Sequence, residues 1–112
     1  MRTIGLAAIL LLASLQLAHA GGIKGAGATS CGSWVEDRKM NNHFAQLNWV
    51  LGFISGYNQF AYSGSAPNGI FGNADPNAIA GWLDNYCREN PLDTVYEGSV
   101  QLVKELQQRV GK

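Results

Sequence analysis

Two cysteines, Cys31 and Cys87, limit what this chain can fold into more than any other pair of residues, and their meaning depends on residues 1–20. Arg2 gives a short positive start, and Ile4 to Leu17 is an almost unbroken apolar run. Ala18-His19-Ala20 then puts small residues at both positions that a signal peptidase inspects. This is the pattern of a secretory signal cleaved after Ala20. The run is short for an anchor crossing a hydrocarbon core of about 30 Å. An exported chain with an even number of cysteines is expected to close a disulfide. Cys31 and Cys87 would then enclose a long loop, which the chain-entropy model values at about 4 kcal/mol. Other uses of the two thiols lack partners. After the cleavage site only His43 could join them, too few ligands for structural zinc, and no C-x-x-C redox pair is present.

Cleavage leaves residues 21–112, a length suited to one small domain. Acidic and basic residues balance at 8 each, and Arg2 departs with the leader, so the remainder sits just below neutrality. That excludes the basic surface that nucleic acid requires and a polybasic membrane patch. Residues 21–30 are glycine-rich and carry little to bury, so they are expected to form a flexible leader. The helical domain is expected to span 31–112.

Ser33 and Glu36 have the spacing of a capping box, which predicts a short helix through Lys39. Trp34 and Val35 would point inward, with Glu36, Asp37, Arg38 and Lys39 in water. Asn41 or Asn42 offers an N-cap for a longer helix to about Tyr62. Phe44, Leu47, Val50, Leu51, Ile54, Tyr57 and Ala61 recur at helical spacing along it. Polar residues off that stripe exclude a membrane span. Ser63 to Asn73 reads as a loop, in which Ile70 and Phe71 either tuck onto the core or form an exposed apolar tip. Asp75-Pro76 is a strong helix start, with Ile79, Trp82, Leu83 and Tyr86 on one face and Pro91 setting the end. Thr94 and Glu97 form a second capping box. Val95, Ser99, Leu102, Val103, Leu106 and Val110 line the last helix. No stretch alternates as a strand does. The expected fold is all-α, a small disulfide-pinned helical bundle of one short and three longer helices, packed around Trp34, Trp49, Phe53, Trp82 and Tyr86.

No arrangement of residues marks a catalytic or metal centre. His43 has no accompanying nucleophile motif and reads as a surface residue at a helix start. The acidic residues are scattered, with Asp75 and Glu97 engaged as caps and the others on polar faces. No cofactor or metal is expected, and the chain reads as a non-enzyme. Gly52-x-x-x-Gly56 either admits a neighbouring helix within the subunit or forms a homodimer seam. Asn48 and Asn58 are either buried amides that fix helix register or exposed ones.

Cys31, the stretch Gly52-Phe53-Ile54-Ser55-Gly56-Tyr57-Asn58, and the stretch Trp82-Leu83-Asp84-Asn85-Tyr86-Cys87-Arg88-Glu89-Asn90-Pro91-Leu92 together resemble small periplasmic helical proteins of the HdeA-like type. That broad group takes in immunity proteins of type VI secretion amidases. The chain departs from the chaperone pattern in its long glycine-rich leader, its aromatic set and its few terminal charges. The resemblance implies a periplasmic, non-enzymatic binding or stress protein, an acid-stress chaperone that holds unfolded client proteins. The alternative it implies is an immunity protein that blocks an amidase-type toxin. Either role needs a protein-binding surface. Candidates are Gly52 and Gly56 on the long helix, and Ile70 and Phe71 in the loop.

Overall fold

Four α-helices carry the chain from Cys31 to Val110 in the computed structural model, which describes residues 22–111. The expected secretory signal and its cleavage after Ala20 lie outside the described residues. The helices are α1 (Cys31–Lys39), α2 (Phe44–Phe60), α3 (Pro76–Glu89) and α4 (Val95–Val110). Short 3-10 turns occupy Ala26–Ala28 and Gly69–Phe71. No strand occurs among the described residues, and the single antiparallel bridge joins Ser30 to Thr94. The all-α expectation holds, and the Cys31–Cys87 disulfide is formed.

Local chemistry sets the helix ends. Asp75 accepts from the backbone of Ala78 at 2.8 Å with Pro76 in the first turn. Thr94 and Glu97 complete a reciprocal capping box. The start of α1 differs from expectation: Ser30, not Ser33, is the cap, and its hydroxyl accepts from Ser33 N at 3.0 Å. The reason is that Cys31 N is already bonded to Asp93 O at 2.8 Å, so the helix is seeded where the chain docks. Asn41 is not an N-cap either. It adopts φ 54° and closes α1 with Asn42 N to Asp37 O at 2.8 Å and Asn41 N to Arg38 O at 3.2 Å. That is a Schellman closure, in which asparagine tolerates the left-handed position. α2 therefore starts later than expected, at Phe44.

The core is more aliphatic than expected. Val50, Ile54, Ile70, Leu83, Val95 and Leu102 are essentially sealed, and Trp34 is the one aromatic among them. Each such side chain contributes about 1.5–3 kcal/mol on burial. Trp49, Phe53, Trp82 and Tyr86 are half-buried around that core. Leu47, Val50 and Ile54 form the inward stripe of α2. At about 100° per residue, Gly52 lies about 200° from Val50, and Gly56 about 200° from Ile54. The expected close packing at Gly52 and Gly56 therefore does not occur: a Cβ at either would meet nothing within 4 Å.

Residues 22–30, expected as a flexible leader that buries nothing, rest on the body at defined points, although Gly22, Lys24, Gly25, Ala28 and Ser30 stay exposed. Gly27 is buried beneath Trp49, and Thr29 O accepts from Val95 N at 2.9 Å. Ile70 tucks into the core at 0% exposure, which excludes it as a docking residue, and Phe71 beside it is half-buried. Asn58 holds this turn, accepting from Ile70 N at 2.9 Å, whereas Asn48 is exposed. Asn58→Ala strands a buried N–H and is expected to cost about 1–3 kcal/mol in denaturant unfolding. Asn48→Ala should be nearly silent in the same measurement.

Candidate functional site

The disulfide sets α1 against α3, and helical spacing does the rest. Stepping forward from Cys31 to Trp34 and Arg38, and back from Cys87 to Asp84, brings three polar groups together. Trp34 Nε1 donates to Asp84 Oδ1 at 2.9 Å. Arg38 makes a forked contact with the same carboxylate, Nε to Oδ1 at 2.9 Å and Nη2 to Oδ2 at 2.7 Å. Such two-toothed arginine–carboxylate pairs are strong and directional. The Arg38 guanidinium also lies 5.8 Å from the Trp34 ring centre.

His43 closes this cluster from the start of α2. It is 5% exposed, so the expected surface histidine is instead a buried one. Its ring meets Trp34 edge-on at 5.6 Å and lies 4.4 Å from Phe44. Its Nε2 is 3.3 Å from Arg38 Nη1. Arginine offers only donors, so Nε2 must accept and the ring proton belongs on Nδ1. Nδ1 is buried with no hydrogen-bond partner. A second proton on Nε2 would set N–H against N–H and cation against cation. Asp37 sits nearby and accepts from Gln46 Nε2 at 2.7 Å, tying α1 to α2.

The electrostatics follow this geometry. Burial pushes the His43 pKa down, the Arg38 charge pushes the same way, and Asp84 and Asp37 oppose them only in part. For Asp84 burial pulls upward, but the bonds from Arg38 and Trp34 and the charges of Arg38 and Arg88 prevail, so its carboxyl titrates below the usual range. The hydrogen bond to Asp84 raises Arg38. α2 itself carries no charged side chain. Elsewhere the Tyr86 hydroxyl donates to Asp93; burial and that carboxylate push it up to about 12.

The other feature is a groove of about 540 Å³ between α2 and α4. Gly52, Phe53, Gly56 and Tyr57 form one side, and Val100, Val103, Lys104 and Gln107 the other. It continues past Tyr57 towards Tyr62 and Gly111. Its walls are largely apolar, Lys104 is its one charge among the described residues, and Gln107 donates to the Tyr57 hydroxyl across it.

The candidate residues thus separate. Cys31 and Cys87 are joined, Gly52 and Gly56 line the open groove, and Ile70 and Phe71 belong to another part of the molecule, with Phe71 beside a hollow at Leu51 and Pro76. Sequence reasoning placed Arg38 and Asp84 on solvated faces. The signal that finds them is the disulfide combined with helical period, which sets Trp34 and Arg38 opposite Asp84. Among the described residues no group of three or more His, Cys, Asp or Glu could hold a metal ion, and no helix is long and apolar enough to cross a membrane. Comparison with protein-family models, curated proteins and solved structures gives no match.

Proposed function

We propose that this chain is an exported, periplasmic, non-enzymatic binding protein of the HdeA-like kind, whose surface opens in acid to hold unfolding polypeptides. The observation that carries the reading is His43, buried with an unpartnered Nδ1 against an arginine that only a neutral ring can tolerate. Asp84 and Arg38 complete a cluster in which proton uptake by His43 or Asp84 opposes the packed state. The only histidine after the expected cleavage site is thereby engaged in packing, with no nucleophile beside it, which supports a role other than catalysis.

The expected result at pH about 2–3, below ordinary carboxylate pKa values, is binding of an apolar-surface dye together with suppressed aggregation of an acid-unfolded client. A chain that binds no dye and leaves aggregation unchanged would end this reading. The α2–α4 groove favours a second reading, an immunity or inhibitor protein with one specific partner such as an amidase-type toxin. In that case pull-down from envelope extracts at neutral pH recovers one dominant protein, and Gly52→Trp, which fills the groove, abolishes the capture.

A further inference from the structure

We propose that Trp49, Phe53 and Tyr96 form a binding surface for Gly-x-Gly peptide segments, and that the chain's own residues 22–30 are its resident occupant. The surface is built by α2 and α4 without help from that segment. Trp49 and Phe53 stack at 5.3 Å and 17° between planes. Tyr96 meets both edge-on, at 6.5 Å and 5.8 Å. These are the offset and T-shaped geometries in which aromatic rings hold one another, so the platform is rigid before anything lies on it.

What lies on it is backbone. A Cβ at Gly27 would fall 2.4 Å from the Trp49 ring, and one at Gly25 would fall 3.3 Å from it, with φ +85° there. The occupant therefore needs glycine at two positions spaced by one residue, because only glycine lets backbone approach an indole this closely. One polar anchor fixes the register: Trp49 Nε1 donates to Lys24 O at 2.9 Å. An indole N–H is a donor only, so it selects a peptide carbonyl.

The two ends of the segment are held differently. Downstream, Thr29 O accepts from Val95 N, Cys31 N donates to Asp93 O, and the disulfide begins. Upstream, the backbone bonds from Ala28 N to Gly25 O and from Thr29 N to Ala26 O stay within the turn itself. Among the described residues the one hydrogen bond to the body there comes from the Trp49 N–H, and the turn otherwise rests by packing on α2 and α4. A segment tethered at one end and laid on aromatics at the other can be exchanged for a competitor of the same chemistry. No carboxylate or histidine takes part in the contact, so it is tested at neutral pH, where its outcome is separate from that of the acid assay.

The experiment uses the full chain, its Gly27→Val variant, and a synthetic peptide of residues 22–30, followed through the Trp49 indole N–H resonance. In the parent chain the tethered segment acts at an effective concentration of the order of millimolar, so added peptide should bind at least about tenfold more weakly than it does to Gly27→Val. Gly27→Val should keep its helical circular dichroism, expose the Trp49 indole to solvent exchange, and recover the protected resonance when the peptide is added. A peptide carrying valine at Gly27 should fail to restore it. Loss of helix in Gly27→Val would make the segment part of the core rather than a ligand, and overturn the proposal. A folded Gly27→Val chain that ignores the peptide, or a Trp49 indole that stays protected in it, would overturn it equally.

Discussion

Removing the disulfide by the double substitution Cys31→Ala and Cys87→Ala is expected to cost about 4 kcal/mol of unfolding free energy. The bond closes a loop of sequence separation 56, and cross-linking two points that far apart strips the unfolded chain of much of its freedom. Small domains have only about 5–15 kcal/mol in total, so the loss is a large share. Both sulfurs are buried at the α1–α3 contact, and two alanines there also leave a small void, which adds to the loss. The measurement is urea unfolding at neutral pH, with the parent followed in parallel with and without reductant. A midpoint unchanged in the double variant would mean that the bond does not hold the fold.

The second large effect is the response to acid. Asp84→Ala leaves Trp34 Nε1 and the Arg38 fork without their acceptor and is expected to cost about 2 kcal/mol at pH 7. That figure is scaled below the value for a fully buried pair because the Arg38 and Asp84 side chains keep 34% and 27% of their exposure, which lets solvent screen them. The sign of the pH dependence is the same for both titrating groups. The His43 pKa is lowered on folding, so its contribution is complete above the unfolded value of about 6.5 and is lost as pH falls below it. The Asp84 pKa is also lowered. Its contribution is complete above about 3.9 and is lost as pH falls through the depressed folded value. Stability should therefore decline in two stages on acidification. His43→Gln, which keeps an acceptor for Arg38, should remove the upper stage, and Asp84→Asn the lower. A profile in which His43→Gln tracks the parent from pH 7 to pH 5 would remove His43 from the acid response.

The caps at Asp75 and Thr94 were readable because each depends on chemistry within four residues of itself, and nothing distant overrides it. The centre of the α2 stripe, Leu47, Val50 and Ile54, was readable for a similar reason, whereas Phe44 and Ala61 at its two ends, expected inward, are exposed; the same angle places Gly52 and Gly56 on the outside. His43 was not readable. Its burial comes from the Schellman turn at Asn41, which rotates the start of α2 under Trp34, and from α3 behind it; neither is local to the histidine. The glycines of residues 22–30 suggested slack chain because composition reports what a segment can bury in side chains. It says nothing of a backbone that is itself buried by an indole. Ile70 and Phe71 were left between two outcomes by sequence, and the Asn58 amide, twelve residues before Ile70, decides between them by drawing Ile70 N inward.

The placement of the covalent bond within α1 has a mechanical consequence. Cys31 stands at the first turn of the helix and Arg38 near its last, about 10 Å apart along the axis. α1 is thus a short lever with a permanent pivot at one end and a proton-sensitive catch at the other. Freeing the catch is expected to loosen the Arg38 end of the helix from Asp84 while the disulfide keeps the Cys31 end in place. When protons leave, the search for closure is confined to a small arc, and the loop entropy that slows long-range recontact has already been removed. On the acid-response reading proposed above, a protein arranged in this way is expected to reclose after each acid and neutral cycle without refolding from a disordered chain.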